Sequence, residues 1–492
     1  MAKRRIVKKI APVAQLDLLS EIEKQRYTDE QKEFIEFSED SSVILAATAG
    51  SGKTYSSVQR LKELLSRGVD PARIIFFSFT KAATEELQRR IGTKDVRITT
   101  IHAFCYSILA STGKFKDVVT FHDFIDWFKV KYKPGQYADD STKQFYYDTI
   151  SNLYEDSDRL SSNISAFKLQ SADGIKCVVP DYLTEYNLFL REKKVRDFSD
   201  ILVEVRDMLK EEKWLRMFRG KYDYIFIDEY QDTSTIQLQI LLSLNAKYYY
   251  LIGDLNQSIY GYSGANCSKL EAMVKARRNT KNLSLSINFR SDKNIVENSN
   301  KFSSLKATAN SNGDGFVDNK IMLKIDELVE ILRLPQEVAV LVRTNDVIKK
   351  LEMQLLRRRV PIRYFNYITK TDLKNYRDGN VTDILKGKLV KLREAFGSDE
   401  QTIKFIEQHQ DSNKHITSIH KSKGLEYDTC VVVNSISPEL LMQNPNYTKL
   451  TPKQIKSISF NPDDEDDVES KNVHYVAVSR SKHKVYFMVY MP

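Results

Sequence analysis

The chain has 492 residues, of which 75 are Lys or Arg and 66 are Asp or Glu, so its formal net charge is +9. No apolar run approaches the ~20 residues that span a membrane, and the basic start leads into no signal-peptide block, so we expect an intracellular, cytoplasmic protein without a membrane partner. The basic excess fits a polyanionic partner but does not by itself establish nucleic-acid binding. The four cysteines are widely spaced, which excludes a zinc motif or a disulfide framework of recognisable spacing.

The predicted elements divide the chain into two similar parts. Residues 1–26 form a basic extension, for which we favour a solvated tail over a helix packed on the body. From residue 27 onward, short apolar segments alternate with helical patterns, which predicts an α/β fold with parallel sheets, repeated twice. A helical, aromatic and charged insert at 111–196 interrupts the first part, and a polar stretch at 366–410 interrupts the second. The predicted strands are 43–46, 74–79, 224–227, 248–252, 338–342 and 430–433.

A glycine-rich loop follows the first predicted strand. Segment 46–54 reads AATAGSGKT and leads into a predicted helix. Gly50 and Gly52 would let backbone N–H groups face phosphate oxygens, while the helix N-terminus adds its positive dipole end. Lys53 would reach the β- and γ-phosphates and Thr54 could bind Mg²⁺. The sequence therefore predicts a site for a nucleoside triphosphate.

Two adjacent carboxylates end the predicted strand at 224–227. Asp228 is placed to hold Mg²⁺ through its water shell, and Glu229 can orient and deprotonate the water that attacks the γ-phosphate. Combined with the phosphate loop, this pair predicts hydrolysis of the bound triphosphate.

A series of further segments resembles the ordered motifs of superfamily 1A DNA helicases of the UvrD/Rep/PcrA type. The resemblance extends over most of the chain, from Tyr27 to Phe487. The segments are 27–31 (YTDEQ), 78–87 (SFTKAATEEL), 99–104 (TTIHAF), 197–202 (DFSDIL), 251–265 (LIGDLNQSIYGYSGA), 285–291 (LSINFRS), 339–345 (AVLVRTN), 418–427 (SIHKSKGLEY) and 478–481 (VSRS).

The resemblance implies a domain organisation with two RecA-like P-loop NTPase lobes. The expected divisions are the extension at 1–26, domain 1A at 27–110 and 197–284, the helical subdomain 1B at 111–196, domain 2A at 285–365 and 411–492, and a reduced 2B-like insertion at 366–410. No nuclease domain is recognisable.

The same resemblance implies an ATP site between the two lobes. Gln31 would read the adenine edge, Phe289 would lie beneath the adenine, and Gln257 would sense the γ-phosphate. The implied catalytic residues are Lys53, Asp228, Glu229, Gln257, Arg290 and Arg480. The implied nucleotide-binding residues are Gln31, Ala49, Gly50, Ser51, Gly52, Lys53, Thr54, Phe289, Arg290, Gly424, Glu426 and Arg480, with Mg²⁺ on Thr54 and Asp228.

A groove for single-stranded DNA is also implied. Exposed aromatic rings can each stack a base, worth ~1–3 kcal/mol without sequence preference. Tyr262 and Ser263 stand where the family usually has Trp and Arg, which removes a cation. The implied DNA-binding residues are Phe79, Thr80, His102, Tyr260, Tyr262, Arg343, Ser418 and His420.

The expected activity is that of an ATP- and Mg²⁺-dependent helicase. It would move 3′ to 5′ on single-stranded DNA and open single-strand/duplex junctions in DNA replication, repair or recombination. One alternative is an ATP-gated subunit of a larger complex that binds or remodels single strands without processive unwinding. Another is an RNA-directed superfamily 1 motor, against which the wording of segments 251–265 and 285–291 argues.

Overall fold

Two parallel sheets organise this computed structural model, which confirms the predicted α/β class. It describes residues 27–37, 40–114, 116–260, 267–277, 279–364, 366–381, 383–443, 451–459 and 467–490. The predicted extension at 1–26 lies outside the described residues. We call the part built on the first sheet, with its insert, the first lobe, and the part from residue 286 onward the second lobe.

The first sheet has six strands in the order β3-β2-β4-β5-β1-β6, all parallel. Its central strands are almost entirely apolar and buried, as expected for a parallel sheet covered on both faces. Parallel strands bring the loops after β1, β4 and β5 to the same edge, where ligands bind in such folds. The strands are β1 (Ser42–Ala47), β2 (Ile74–Phe77), β3 (Arg97–Thr99), β4 (Tyr224–Asp228), β5 (Tyr248–Gly253) and β6 (Thr280–Leu285).

The second sheet has five strands in the order β11-β10-β12-β13-β9, again parallel. A short parallel pair, β7 with β8, precedes it and lies next to the glycine-rich loop of the first lobe. The strands are β7 (Ile287–Asn288), β8 (Thr308–Ala309), β9 (Phe316–Met322), β10 (Val338–Val342), β11 (Lys414–Ser418), β12 (Tyr427–Val433) and β13 (Ser481–Met488).

Helices cover both faces of each sheet. Ile75 and Phe77 of β2 pack into one core with buried residues of four helices, while Ile74 and Phe76 belong to a second core. In the first lobe, outside the insert, the helices are Asp29–Ile35, Lys53–Ser66, Lys81–Ile91, Ile101–Ser111, Phe198–Met208, Glu212–Phe218, Thr235–Ser243 and Cys267–Arg277. Those of the second lobe, outside 366–410, are Lys293–Asn300, Ile325–Leu332, Asn345–Arg357, Ile419–Ser422, Pro438–Met442, Pro452–Ile458 and Val468–Val478.

The insert at 111–196 is helical, as predicted, and has its own aromatic core around Phe124 and Phe189. A bridge between Val118 and Arg196 holds the two ends of the insert together, and Lys168 forms an ion pair with Asp197, just beyond the insert. Its helices are Phe121–Lys131, Asp140–Glu155, Ser157–Ala172 and Leu183–Lys193.

Residues 366–410 form helices that pack on the second sheet. Leu373 and Leu389 belong to the same core as Val340 of β10, so this segment shares the hydrophobic centre of the second lobe. Its assignment as a reduced 2B-like insertion stays a prediction. The helices are Lys370–Arg377, Asp383–Val390, Arg393–Phe396 and Asp399–Gln408. Within the described ranges, no helix is both long and apolar enough to cross a membrane.

Candidate functional site

The glycine-rich loop connects β1 to the helix Lys53–Ser66 and has the backbone of a phosphate cradle. Gly50 and Gly52 have φ values of +72° and +81°, in the left-handed region that side chains disfavour. A Cβ atom on Gly50 would lie 2.8 Å from the Asn288 Oδ1 atom, so only glycine fits there. Ser51 is buried and its hydroxyl donates to the Thr48 carbonyl at 2.8 Å, which holds the turn.

The second lobe contacts this loop directly. The Asn288 side-chain amide donates to the Ala49 carbonyl at 2.8 Å, and the Phe289 N–H donates to the Gly50 carbonyl at 2.9 Å. The N–H of Ala49, one of the implied nucleotide-binding residues, donates to the Tyr475 hydroxyl at 3.3 Å. Both lobes therefore shape the predicted cradle.

Gln31, for which the resemblance implies contact with the adenine edge, lies at one side of the loop. Its backbone and side chain form a capping box with Thr28, with both hydrogen bonds at 3.2 Å. Its side-chain nitrogen lies 3.2 Å from the position of a Cβ atom on Gly52. Thr54 is half-buried in the first turn of the helix that follows the loop, one residue after Lys53.

The carboxylate pair faces the loop from the end of β4. The Lys53 Nζ and Glu229 Oε1 atoms lie 3.6 Å apart. Glu229 has a φ of +53°, an uncommon conformation for a residue with a side chain, and the Gln231 amide donates to its Oε2 atom at 2.5 Å. This turn places a carboxylate oxygen next to the predicted phosphate-binding lysine.

The two carboxylates have opposite pKa shifts. Burial raises the pKa of Asp228, and the neighbouring charge of Glu229 raises it further. Burial would also raise the pKa of Glu229, but the charges of Lys53 and Lys423 outweigh it and hold this pKa below its usual range. Glu229 is therefore ionised at neutral pH, as a general base must be.

Asp228 and Thr54 fit a Mg²⁺ ion. Burial and the Glu229 charge raise the pKa of Asp228 more than Lys53 and Lys423 lower it, and a divalent cation would add positive charge that favours the ionised carboxylate. Mg²⁺ in phosphate sites is held by one or two protein groups, with phosphates and water completing the shell. Among the described residues, no cluster of three or more His, Cys, Asp and Glu side chains could hold a metal by itself.

Gln257 and Arg480 form a buried network between the lobes. The Arg480 Nη2 atom donates to the Gln257 Oε1 atom at 3.2 Å, and the Gln257 amide donates to the Asp254 Oδ2 atom at 2.9 Å. Burial lowers the pKa of Arg480 to about 10, with a contribution from the nearby charge of Arg290, so the guanidinium stays charged at neutral pH. The predicted γ-phosphate sensor and one predicted arginine are thus in direct contact.

Arg290 and Glu426 pair at the second-lobe side of the cleft. The Arg290 Nε atom donates to Glu426 Oε2 at 3.0 Å, and its Nη1 atom donates to the Ser479 carbonyl at 3.2 Å. Phe289 is 46% exposed, as a platform for a base must be. Gly424 has a φ of +82°, which permits the turn between Lys423 and β12.

Three predicted DNA-binding side chains meet at the edge of the interlobe cleft. The rings of Phe79 and Tyr260 have centroids 5.3 Å apart, and those of Tyr260 and His420 have centroids 5.9 Å apart. Phe79 is 44% exposed. We call the rings of Phe79, Tyr260 and His420 the aromatic surface. The Lys423 Nζ atom lies 5.4 Å from the Tyr260 ring centroid, so this surface also carries a cation.

The remaining predicted DNA-binding residues have varied surroundings. Burial lowers the pKa values of His102 and His420, so both rings are neutral at pH 7. Thr80 and Ser418 cap the N-termini of two helices. Each side-chain hydroxyl accepts a hydrogen bond from the backbone N–H three residues later. The Arg343 guanidinium contacts the Ser470 hydroxyl. Tyr262 lies outside the described residues.

Sequence reasoning missed two residues that join the two lobes, Tyr475 and Lys423. Tyr475 contacts Ala49 in the loop and donates to Asp254 Oδ2 at 3.1 Å. Lys423 forms an ion pair with Asp232. The available signals were weak: a tyrosine in an otherwise apolar helix, and a lysine inside segment 418–427, neither of which has a local partner.

Comparisons with known proteins show the family to which the chain belongs. Residues 27–277 match the family model described as the UvrD/REP helicase N-terminal domain, and residues 373–491 match the UvrD-like helicase C-terminal domain. A probable DNA helicase II homolog of Mycoplasma capricolum subsp. capricolum is 25% identical over 378 residues, covering 69% of this chain and 52% of the relative.

ATP-dependent DNA helicases named PcrA are similar at comparable levels. The protein from Leuconostoc citreum is 27% identical over 373 residues, covering 68% of this chain and 49% of the relative. The protein from Staphylococcus epidermidis is 28% identical over 367 residues, covering 68% of this chain and 50% of the relative. The chain spans about half the length of the curated relatives it matches.

Proposed function

We propose that this chain, which belongs to the UvrD/REP helicase family, is an ATP- and Mg²⁺-dependent DNA helicase. It moves 3′ to 5′ along single-stranded DNA and separates strands at single-strand/duplex junctions during replication, repair or recombination. The observation that carries the proposal is the placement of Arg480, from the second lobe, on Gln257 of the first lobe. A site assembled from both lobes can couple hydrolysis to their relative motion.

Each side chain of the cleft has a chemical role in this proposal. Lys53 binds the β- and γ-phosphates, while Glu229 orients the attacking water and takes its proton. Arg290 and Arg480 stabilise the charge that develops on the transferred phosphoryl group. Thr54 and Asp228 would hold Mg²⁺, which would supply further positive charge to the phosphate oxygens.

In this proposal, single-stranded DNA binds to the aromatic surface at the edge of the cleft. Phe79 belongs to the first lobe, Tyr260 follows β5, and His420 belongs to the second lobe. A base stacked on these rings contacts groups that shift relative to one another when the lobes close. Stacking is tolerant of sequence because every base has a π face, which suits a protein that moves along DNA.

Strand displacement on tailed duplexes tests the proposal. We expect ATP-dependent displacement from a duplex with a 3′ single-stranded tail, and none from the same duplex with a 5′ tail. ATPase stimulation without displacement on either substrate would favour the ATP-gated remodelling protein. Greater stimulation by RNA than by DNA of the same sequence would favour the RNA-directed motor.

Salt dependence tests the phosphate contacts of the groove. If the groove neutralises DNA phosphates, the logarithm of affinity should fall with the logarithm of salt by about 0.7 per phosphate contacted. An affinity for single-stranded DNA that does not change with salt would contradict the proposed groove.

A further inference from the structure

We propose that the buried ion pair between Lys423 and Asp232 is a positioning contact that transmits DNA binding to the carboxylate pair of the ATP site. This inference rests on the proposed function, and it assigns a role to two residues outside the predicted catalytic and DNA-binding sets.

The ion pair crosses from one lobe to the other. Lys423 follows the short helix Ile419–Ser422 of the second lobe, and Asp232 ends the turn Tyr230–Asp232 that begins after Glu229 in the first lobe. The Lys423 Nζ atom donates to Asp232 and also donates to the Gln257 carbonyl at 2.7 Å. One ammonium group is therefore bound to the segments that carry both the predicted general base and the predicted γ-phosphate sensor.

Both charges are withdrawn from solvent. The side chains of Lys423 and Asp232 are 8% and 0% exposed. Separation of a buried ion pair leaves an uncompensated charge in a low-dielectric environment, so the two groups strongly favour moving together. A shift of the second-lobe segment around Lys423 is thus transmitted to the turn after Glu229.

The other end of the contact lies at the aromatic surface. Lys423 faces the Tyr260 ring, which in turn contacts Phe79 and His420. A base that stacks on this surface changes the surroundings of the same ammonium that binds Asp232. Lys423 therefore contacts both the aromatic surface and the turn Tyr230–Asp232.

There is space beside the turn Tyr230–Asp232 for such a shift. A cavity is lined by Glu229 and Asp232 and also by Phe79 and His102. The Asp232 Oδ1 atom, which is buried, has no hydrogen-bond partner among the described residues. Asp232 can therefore move without breaking a contact on that oxygen, provided that its ion pair with Lys423 moves with it.

Steady-state ATP hydrolysis with and without oligo(dT) tests the inference. The readout is the ratio of kcat at saturating oligo(dT) to kcat without DNA. We expect this ratio to fall by about tenfold in Lys423→Met, within the range usual for coupling between two sites, while the KM for ATP changes little. Lys423→Arg, which keeps the charge, should retain most of the stimulation. Lys421→Met is the matched control, because Lys421 is exposed and lies in the same segment.

A double-mutant cycle separates transmission from general destabilisation. Asp232→Asn should lower the ratio like Lys423→Met, and the double variant should be no worse than either single variant. Unchanged stimulation in Lys423→Met overturns the inference, as do additive losses in the double variant. If Lys423→Met does not fold, retained stimulation in Asp232→Asn overturns it instead. A wild-type ATPase that single-stranded DNA does not stimulate would contradict the proposed function itself, which is a distinct result.

Discussion

Replacement of Glu229 by glutamine should abolish turnover while leaving binding and folding intact. Glutamine keeps the shape of the side chain and can still accept a hydrogen bond, but it cannot take a proton from water. Removal of a positioned general base typically lowers the rate by about 10²–10⁴-fold, so kcat should fall by about that factor. The Glu229 Oε1 and Lys53 Nζ atoms lie 3.6 Å apart. Because glutamine has no charge to attract the ammonium group, the variant also frees Lys53 to bind the triphosphate.

The effect of this change on stability should be small, because the two carboxylates have opposing contributions. The pKa of Glu229 is lower in the folded protein than in the unfolded chain. Its ionisation therefore stabilises the folded state at pH values above the pKa of the unfolded chain. The pKa of Asp228 is higher in the folded protein than in the unfolded chain, because of burial and of the Glu229 charge. Ionisation of Asp228 therefore destabilises the folded state. Glutamine removes the first effect and, at the same time, the part of the second that comes from the Glu229 charge. We expect the melting temperature to change by less than about 1 °C, which for a chain of this length corresponds to about 1 kcal/mol.

The assay combines three measurements on wild type and Glu229→Gln. These are ATP hydrolysis at saturating single-stranded DNA, binding of a fluorescent ATP analogue, and DNA binding by fluorescence anisotropy. Glu63→Gln serves as the matched control, because Glu63 pairs with Arg67 on the helix after the loop and faces no predicted substrate. Turnover of Glu229→Gln within about threefold of wild type would refute the assignment of the base, since a general base contributes far more.

Three further predictions follow from particular contacts. Arg290→Ala should lower kcat by about 10³-fold or more at saturating ATP and DNA, as for other arginine fingers, and a rate within about tenfold of wild type would exclude that role. Tyr475→Phe deletes a hydroxyl that accepts from Ala49 and donates to Asp254, so urea denaturation should show about 1–3 kcal/mol less stability, whereas an unchanged midpoint would mean that these bonds contribute nothing. Burial lowers the pKa of His474 to about 4 from its usual 6.5, so the neutral ring contributes stability that is complete above pH 6.5 and is lost as pH falls towards 4. Between those pH values wild type should lose about 3 kcal/mol more than His474→Gln, and parallel losses in urea titrations would contradict this.

The parts of the fold that depend on local sequence were predicted well. The predicted strand at 338–342 matches β10, and the strand at 43–46 lies within β1. The prediction at 74–79 extends beyond β2, which ends at Phe77, because Thr80 caps the next helix and the chain turns before it. The glycine-rich loop was equally predictable, since its function needs only a strand, small residues and a helix N-terminus in sequence.

Contacts between the lobes were not predictable from one sequence. Tyr475 and Ala49 are 426 positions apart, and Lys423 and Asp232 are 191 positions apart, so no local pattern connects either pair. The family resemblance, supported by the matches to both family models, placed Arg480 and Gln257 in one site, but it did not indicate that they contact each other. The acceptor of the Ala49 N–H likewise depends on how closely the second lobe approaches the loop.

The most direct test of a two-lobe motor is the rate of ATP hydrolysis with and without single-stranded DNA. If DNA on the aromatic surface promotes closure of the cleft, saturating oligo(dT) should raise kcat by at least about tenfold, within the range of ordinary coupling between sites. Equal rates in the presence and absence of DNA would contradict the account, because the DNA groove and the ATP site would then work independently.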